Sequence, residues 1–263
     1  MGRQINVGGW SGDSTFGLRL FTPNGAPGVN STGDWEEDYP TLSLQVRERR
    51  MCSVSFLIGS AQRGRWYPSV AVLANGSVLV IGGEIGSNDK PQPNLEVLPK
   101  PDGGDTVVDL PWLERTDPNN LYPFVFVLPS QNLFVGMLEF FTVEIGPDVP
   151  LLGYWNEARI LEPVNFDTIQ ELPNIPGNVN NFLAGRTYPL EGAAVPLPLH
   201  APYTDPLEIL ICGGSTVGAA EASDNCVSLQ PEAAQPQWVL ERMVSSLAND
   251  QGIVFAYEVD EAL

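Results

Sequence analysis

Histidine occurs once in this 263-residue chain, at His200, and cysteine three times, at Cys52, Cys212 and Cys226. There is no CxxC pair and no Ser-His-Asp set. The glycines of "GGWSGDSTF" lack the strand-to-helix context that phosphate binding requires. Basic residues are also few: 13 Lys and Arg stand against 32 Asp and Glu, a formal charge of −19. The densest basic patch, "RERR" from Arg47 to Arg50, is too short to offset that field, which repels nucleic acid and anionic membrane surfaces. No apolar run approaches the roughly 20 residues of a membrane helix. The amino terminus, "MGRQINVGGW", holds no apolar stretch of the signal-peptide kind.

What the chain has in quantity is glycine (26) and proline (24), without long amphipathic segments, a mix that suits short strands joined by turns. It also repeats itself. "YPSVAVLANGSVLVIGG" at Tyr67 returns as "YPFVFVLPSQNLFVGM" at Tyr122, and, with a longer middle, as "YPLEGAAVPLPLHAPYTDPLEILICGG" at Tyr188. Each unit reads Tyr-Pro, apolar strand, polar turn, apolar strand, glycine. Asn75-Gly76 between two β-branched runs is a strong hairpin signal, and near-continuous apolarity predicts strands covered on both faces. "INVGGW" reads as the tail of a further unit, and "LRLFTP", "NLEVLP" and "EARILEP" supply remaining strands. Repeats spaced by about 50 to 65 residues, each holding a small sheet, predict an all-β fold, an incomplete kelch-type β-propeller of three to four blades.

These blocks resemble a known family. "RWYPSVAVLANGSVLVIGG", "LYPFVFVLPSQNLFV", "YPLEGAAVPLPL" and "PLEILICGGST" are similar, in order, to the amino-terminal propeller of glyoxal oxidase, a copper radical oxidase related to galactose oxidase. "GLRLFTP", "DWEEDYPTL" and "QWVLERM" also match, so the resemblance covers residues 5–46 and 64–243. It implies an extracellular enzyme that oxidises small aldehydes or alcohols with O2, releasing H2O2. It also implies a copper ion held by two tyrosines and two histidines, one tyrosine being cross-linked to a cysteine. Tyr67 falls on the cross-linked radical tyrosine and is thereby the one copper-ligand position matched. Imidazole and phenolate suit copper(II).

The departures shape the expectation. One histidine cannot supply two imidazoles, and His200, in "LPLHAPYTDP", lies outside the family's ligand motifs. The cysteine partner of the radical tyrosine belongs upstream of "INVGGW". Cys52 sits in "RERRMCSVSFLIGSAQRG", and residues 47–63 read as an insertion there. Residues 244–263 read as a tail that does not continue the pattern. The chain is therefore expected to be residues 1–243 of a partial propeller plus a tail, an amino-terminal fragment inactive on its own. The alternative reading is a non-catalytic propeller serving as a binding or scaffold module. A propeller glycosidase fits less well, because pairs such as Glu36-Glu37 and Asp260-Glu261 are adjacent in sequence and are not acid/base dyads.

Four further positions carry expectations. Cys212 and Cys226 either pair, leaving Cys52 alone, or all three remain thiols. The resemblance adds a family pair at Cys212 and Cys226. Asn30-Ser-Thr and Asn75-Gly-Ser are N-glycosylation sequons, the second at a predicted turn. Tyr67 can equally be a packing residue heading a strand, as Tyr122 and Tyr188 are.

Overall fold

The computed structural model describes residues 4–24, 33–38, 63–87, 89–98, 107–114, 120–137, 139–144, 150–177, 184–188, 190, 192–215 and 222–242. Cys52 and Asn30 lie outside them, as do residues 244–263 and, Arg63 excepted, 47–63. The chain divides into two compact units, residues 1–122 and 123–263. Both are built almost wholly from antiparallel strands.

In the first unit, β1 (Gln4–Val7), β2 (Leu18–Phe21) and β3 (Glu36–Asp38) form a three-stranded sheet. A four-stranded meander follows: β4 (Ser69–Val72), β5 (Val78–Ile81), β6 (Asn94–Leu98) and β7 (Val107–Asp109). This up-and-down order is that of a propeller blade. β1 to β3 repeat its second to fourth strands, as "INVGGW" had suggested. Leu79, Ile81 and Leu95 are fully buried, each worth about 1.5–3 kcal/mol of burial.

The β4–β5 turn is not the two-residue type that Asn-Gly favours. Leu73 N–H donates to Ser77 O (2.8 Å) and Gly76 N–H to Leu73 O (2.8 Å), so Ala74, Asn75 and Gly76 form a three-residue loop. Gly76 takes the left-handed position at φ +83°, the type I turn with a glycine bulge.

The second unit holds two such blades. In one, β8 (Phe124–Val127), β9 (Leu133–Gly136), β12 (Ala158–Leu161) and β13 (Thr168–Glu171) pair in that order. A hairpin of β10 (Glu139–Glu144) and β11 (Pro150–Trp155) leaves and rejoins it between β9 and β12. The other comprises β14 (Gly192–Pro196), β15 (Ile209–Gly213), β16 (Asn225–Leu229) and β17 (Val239–Arg242). Their inner faces share one core that includes Phe134, Ile160, Ile175, Ile209, Ile211 and Val227. Trp238 ties them further, its indole N–H donating to Pro173 O at 2.7 Å.

The apolar runs are not covered evenly. β5 and β9 are buried, whereas β4 leaves Val70 and Val72 exposed and β8 is only half-buried. The physical reason is position: β4 and β8 each lie at the edge of their sheet, with a neighbour on one side.

Candidate active site

Tyr67 and Tyr122 both lie in the first unit, and both have left-handed backbone, φ +57° and +49°. That region is uncommon for a bulky side chain and is held only where the surroundings over-determine it. Here they do. Trp66 N–H donates to Glu84 O (2.6 Å), and Glu84 N–H returns to Trp66 O (2.9 Å). Gly83, at φ +88°, packs so closely that a Cβ there would stand 2.7 Å from Trp66 O. On the other side, Tyr122 N–H donates to Tyr67 O at 3.0 Å. The rings follow the backbone: Tyr67 stacks on Trp66 with centroids 3.9 Å apart, and on Tyr122 at 4.8 Å. Tyr67 is half-buried, and Tyr122 is 42 % exposed.

Two residues before Tyr67 sits a residue that sequence reasoning missed. Arg65 is buried, and its guanidinium is almost saturated. Nη1 donates to Gly82 O (2.7 Å) and Asn94 O (3.2 Å), and Nη2 to Asn94 Oδ1 (2.5 Å) and Glu96 Oε1 (2.8 Å). Nε also donates to Glu96 Oε1, at 3.2 Å. Burial pushes the guanidinium below its ordinary value, and the Glu96 carboxylate pulls it back up. The Arg65 backbone is tied as well, N–H to Thr15 O and carbonyl from Gly9 N–H. The segment that presents Tyr67 is thus clamped two residues upstream.

The same clasp recurs in the second unit. Arg186 Nη1 donates to Gly213 O (2.6 Å) and Asn225 O (3.2 Å), Nη2 to Gly177 O (2.7 Å) and Nε to Pro176 O (3.2 Å). Burial lowers its pKa to about 10, so it remains cationic near neutrality. The signal was present in the sequence as Gly-Arg-x-Tyr-Pro, at Gly64 to Pro68 and Gly185 to Pro189. The downstream geometry nevertheless differs: Tyr67 and Tyr122 stand two residues ahead of their strands, and Tyr188 stands four ahead of β14.

Cys212 and Cys226 are register partners on β15 and β16, with Cα atoms 4.1 Å apart, and form a disulfide. His200 lies exposed in the loop between β14 and β15, where its carbonyl accepts from Tyr203 N–H. Asn75 is exposed at its hairpin tip. Among the described residues no three His, Cys, Asp or Glu side chains come together as a metal-binding group. No helix among them is long and apolar enough to cross a membrane.

The antiparallel four-stranded sheets define an all-β, propeller-like class of protein, and comparison with known sequences gives the family. The pattern described as "Glyoxal oxidase N-terminus" matches residues 20–254, and the chain belongs to that family. It is 49% identical over 245 residues to a WSC domain-containing protein of Arthroderma benhamiae, covering 93% of this chain and 22% of that protein. It is 28% identical over 241 residues to aldehyde oxidase GLOX of Vitis pseudoreticulata, covering 88% of this chain and 36% of that one. The chain therefore spans only about a fifth to a third of the length of these relatives.

The copper that this family implies can be tested against the donors present. Tyr67 offers one phenol oxygen, a sound ligand for copper(II), but the square nitrogen-and-oxygen field that the ion prefers needs imidazoles. The whole chain holds one, exposed in a loop of the other unit. These residues do not make a copper(II) centre by themselves.

Proposed function

We propose that this segment is the Tyr67-bearing propeller portion of an extracellular copper radical oxidase. The complete enzyme would oxidise small aldehydes to carboxylic acids and reduce O2 to H2O2, with its other metal ligands supplied from outside these 263 residues. The observation that carries the reading is Tyr67 itself. By resemblance it falls on the family's radical-tyrosine position, and its left-handed backbone is held directly by Tyr122 and, through its neighbours Trp66 and Pro68, by Glu84 and Gly83. The disulfide suits an oxidising, secretory setting. On its own the segment is a binding or scaffold module, a reading favoured by its single histidine.

The test is peroxide release with glyoxal or methylglyoxal after copper loading and oxidation. Residues 1–263 should give none. A chain carrying this segment at the full length of the matched relatives should turn over and lose that turnover in Tyr67→Phe. Turnover by residues 1–263 that disappears in Tyr67→Phe would overturn the division of labour. Full activity of the longer Tyr67→Phe chain would overturn the role of Tyr67.

A further inference from the structure

We propose that Asn75 is an N-glycosylation acceptor, modified by an oligosaccharide delivered from a polyprenyl-pyrophosphate carrier. A sequon alone says little, because the transfer also needs an accessible carboxamide in a turn that the enzyme can grip, and a compartment where the reaction occurs. The structure supplies each of these.

Ala74, Asn75 and Gly76 are all exposed at the tip of the β4–β5 hairpin, and a Cβ placed on Gly76 would meet nothing within 4 Å. Ser77 N–H donates to Asn75 Oδ1 at 2.9 Å, closing an Asx-turn across the three sequon residues. That bond uses the carboxamide oxygen. It leaves Nδ2, the atom that takes the sugar, without a bond in the fold among the described residues. It also orders the backbone between the acceptor and the Ser77 hydroxyl before any enzyme arrives. The Cys212–Cys226 disulfide is the mark of an oxidising compartment, and lumenal oligosaccharyl transfer takes place in such a compartment.

The second blade provides an internal contrast. Its β8–β9 loop has the same build, with Leu128 N–H to Asn132 O (2.8 Å) and Gln131 N–H to Leu128 O (2.8 Å). Ser130 Oγ accepts there from Asn132 N–H at 3.2 Å. The turn geometry is thus retained without an acceptor amide, so the fold does not require asparagine at the tip. Asn75 stands where a turn residue need only accept a hydrogen bond, and it adds a nitrogen the turn does not use.

In the transfer, Asn75 Nδ2 forms a bond to the anomeric carbon of the oligosaccharide and gives up one proton. The bond from that carbon to the pyrophosphate oxygen breaks, and the polyprenyl pyrophosphate leaves with the electron pair. No oxidant is involved.

The experiment is to produce the chain with a secretory leader in a eukaryotic host, recover it from lumen and medium, and map peptides with and without a peptide N-glycosidase, which hydrolyses the side-chain amide that carries the sugar. The expected result is a glycan on the peptide containing Asn75, with Asn75 converted to aspartate on enzymatic release. Asn75→Asp keeps the Oδ1 acceptor of the turn and removes the acceptor nitrogen. Ser77→Ala keeps the turn's N–H donor and removes the sequon hydroxyl. Both should abolish occupancy at this position, and each serves if the other folds poorly. Recovery of the Asn75 peptide unmodified from secreted protein would overturn the proposal, as would a glycan that persists there in Ser77→Ala.

Discussion

The arginine clasps of the two units do the same work with different partners. Arg65 and Arg186 each reach the carbonyl of a glycine at the close of a blade's second strand (Gly82, just past β5, and Gly213, the last residue of β15) and that of the asparagine that opens its third, Asn94 and Asn225. Beyond these shared contacts they diverge. Arg65 answers its burial with Glu96, while the position of Glu96 is filled in the second unit by Val227. Arg186 turns instead to the carbonyls of Pro176 and Gly177. Likewise, the facing pair Ile81 and Leu95 of the first unit corresponds to the disulfide pair Cys212 and Cys226 of the second. A buried cation therefore needs its donors satisfied, and backbone oxygens serve as well as a carboxylate where the chain brings them close.

The hardest blow to this comparison falls on the ion pair. Arg65→Met leaves Glu96 as an uncompensated buried charge and should cost about 3–5 kcal/mol in denaturant unfolding. Replacing both, as Arg65→Met with Glu96→Leu, should recover most of that loss, because well-packed apolar residues often substitute for a buried pair. If the double variant is no better than the single one, the pair's geometry rather than its charge is what the blade needs.

The disulfide comes next. Cys212→Ile with Cys226→Leu imports the first unit's apolar pair and removes only the cross-link. With a sequence separation of 14, the loss should be about 3 kcal/mol in the chain-entropy view. An unchanged unfolding midpoint would show that packing alone holds β15 to β16.

The smallest effect compares the two hairpin tips. Gly76 and Gln131 occupy the same left-handed position, at φ +83° and +72°. Gln131→Gly relieves side-chain strain but loosens the unfolded chain, a net gain of about 0.5–1 kcal/mol. Gly76→Gln should lose a similar amount, read from the same unfolding curves.

Much of this fold was legible because the repeat announces it. Tyr-Pro, turn and closing glycine mark β4–β5, β8–β9 and β14–β15, and "NLEVLP" and "EARILEP" fall on β6 and β12. The repeated Gly-Arg-x-Tyr-Pro marked Arg65 as recurrent, but its burial was not legible, since an arginine in "RGRWYP" reads as a solvated charge until its acceptors, 17 to 31 residues away, are known. The stacking of Trp66 and Tyr122 on Tyr67 was hidden for a related reason. Tyr67 and Tyr122 are 55 residues apart in the first unit, and periodicity reports what recurs along the chain, not which rings touch. The β10–β11 hairpin went unassigned because it belongs to one blade only and breaks the pattern used to find the others.

That hairpin has a consequence for engineering. Gly136 and Ala158, the residues that flank it, are register partners, and just outside them Met137 N–H donates to Glu157 O at 2.9 Å. The two ends of the excursion are thus already neighbours in the ladder, and the hairpin between Met137 and Asn156 is a removable cassette, provided Asn156 stays, since it holds buried Ile175 through Ile175 N–H to Asn156 O (2.8 Å) and Asn156 Nδ2 to Ile175 O (3.2 Å). A short turn spliced from Met137 to Asn156 would leave every pairing of β9 with β12 in place. A foreign peptide loop could be displayed from the same two anchor points without shifting the register of the blade.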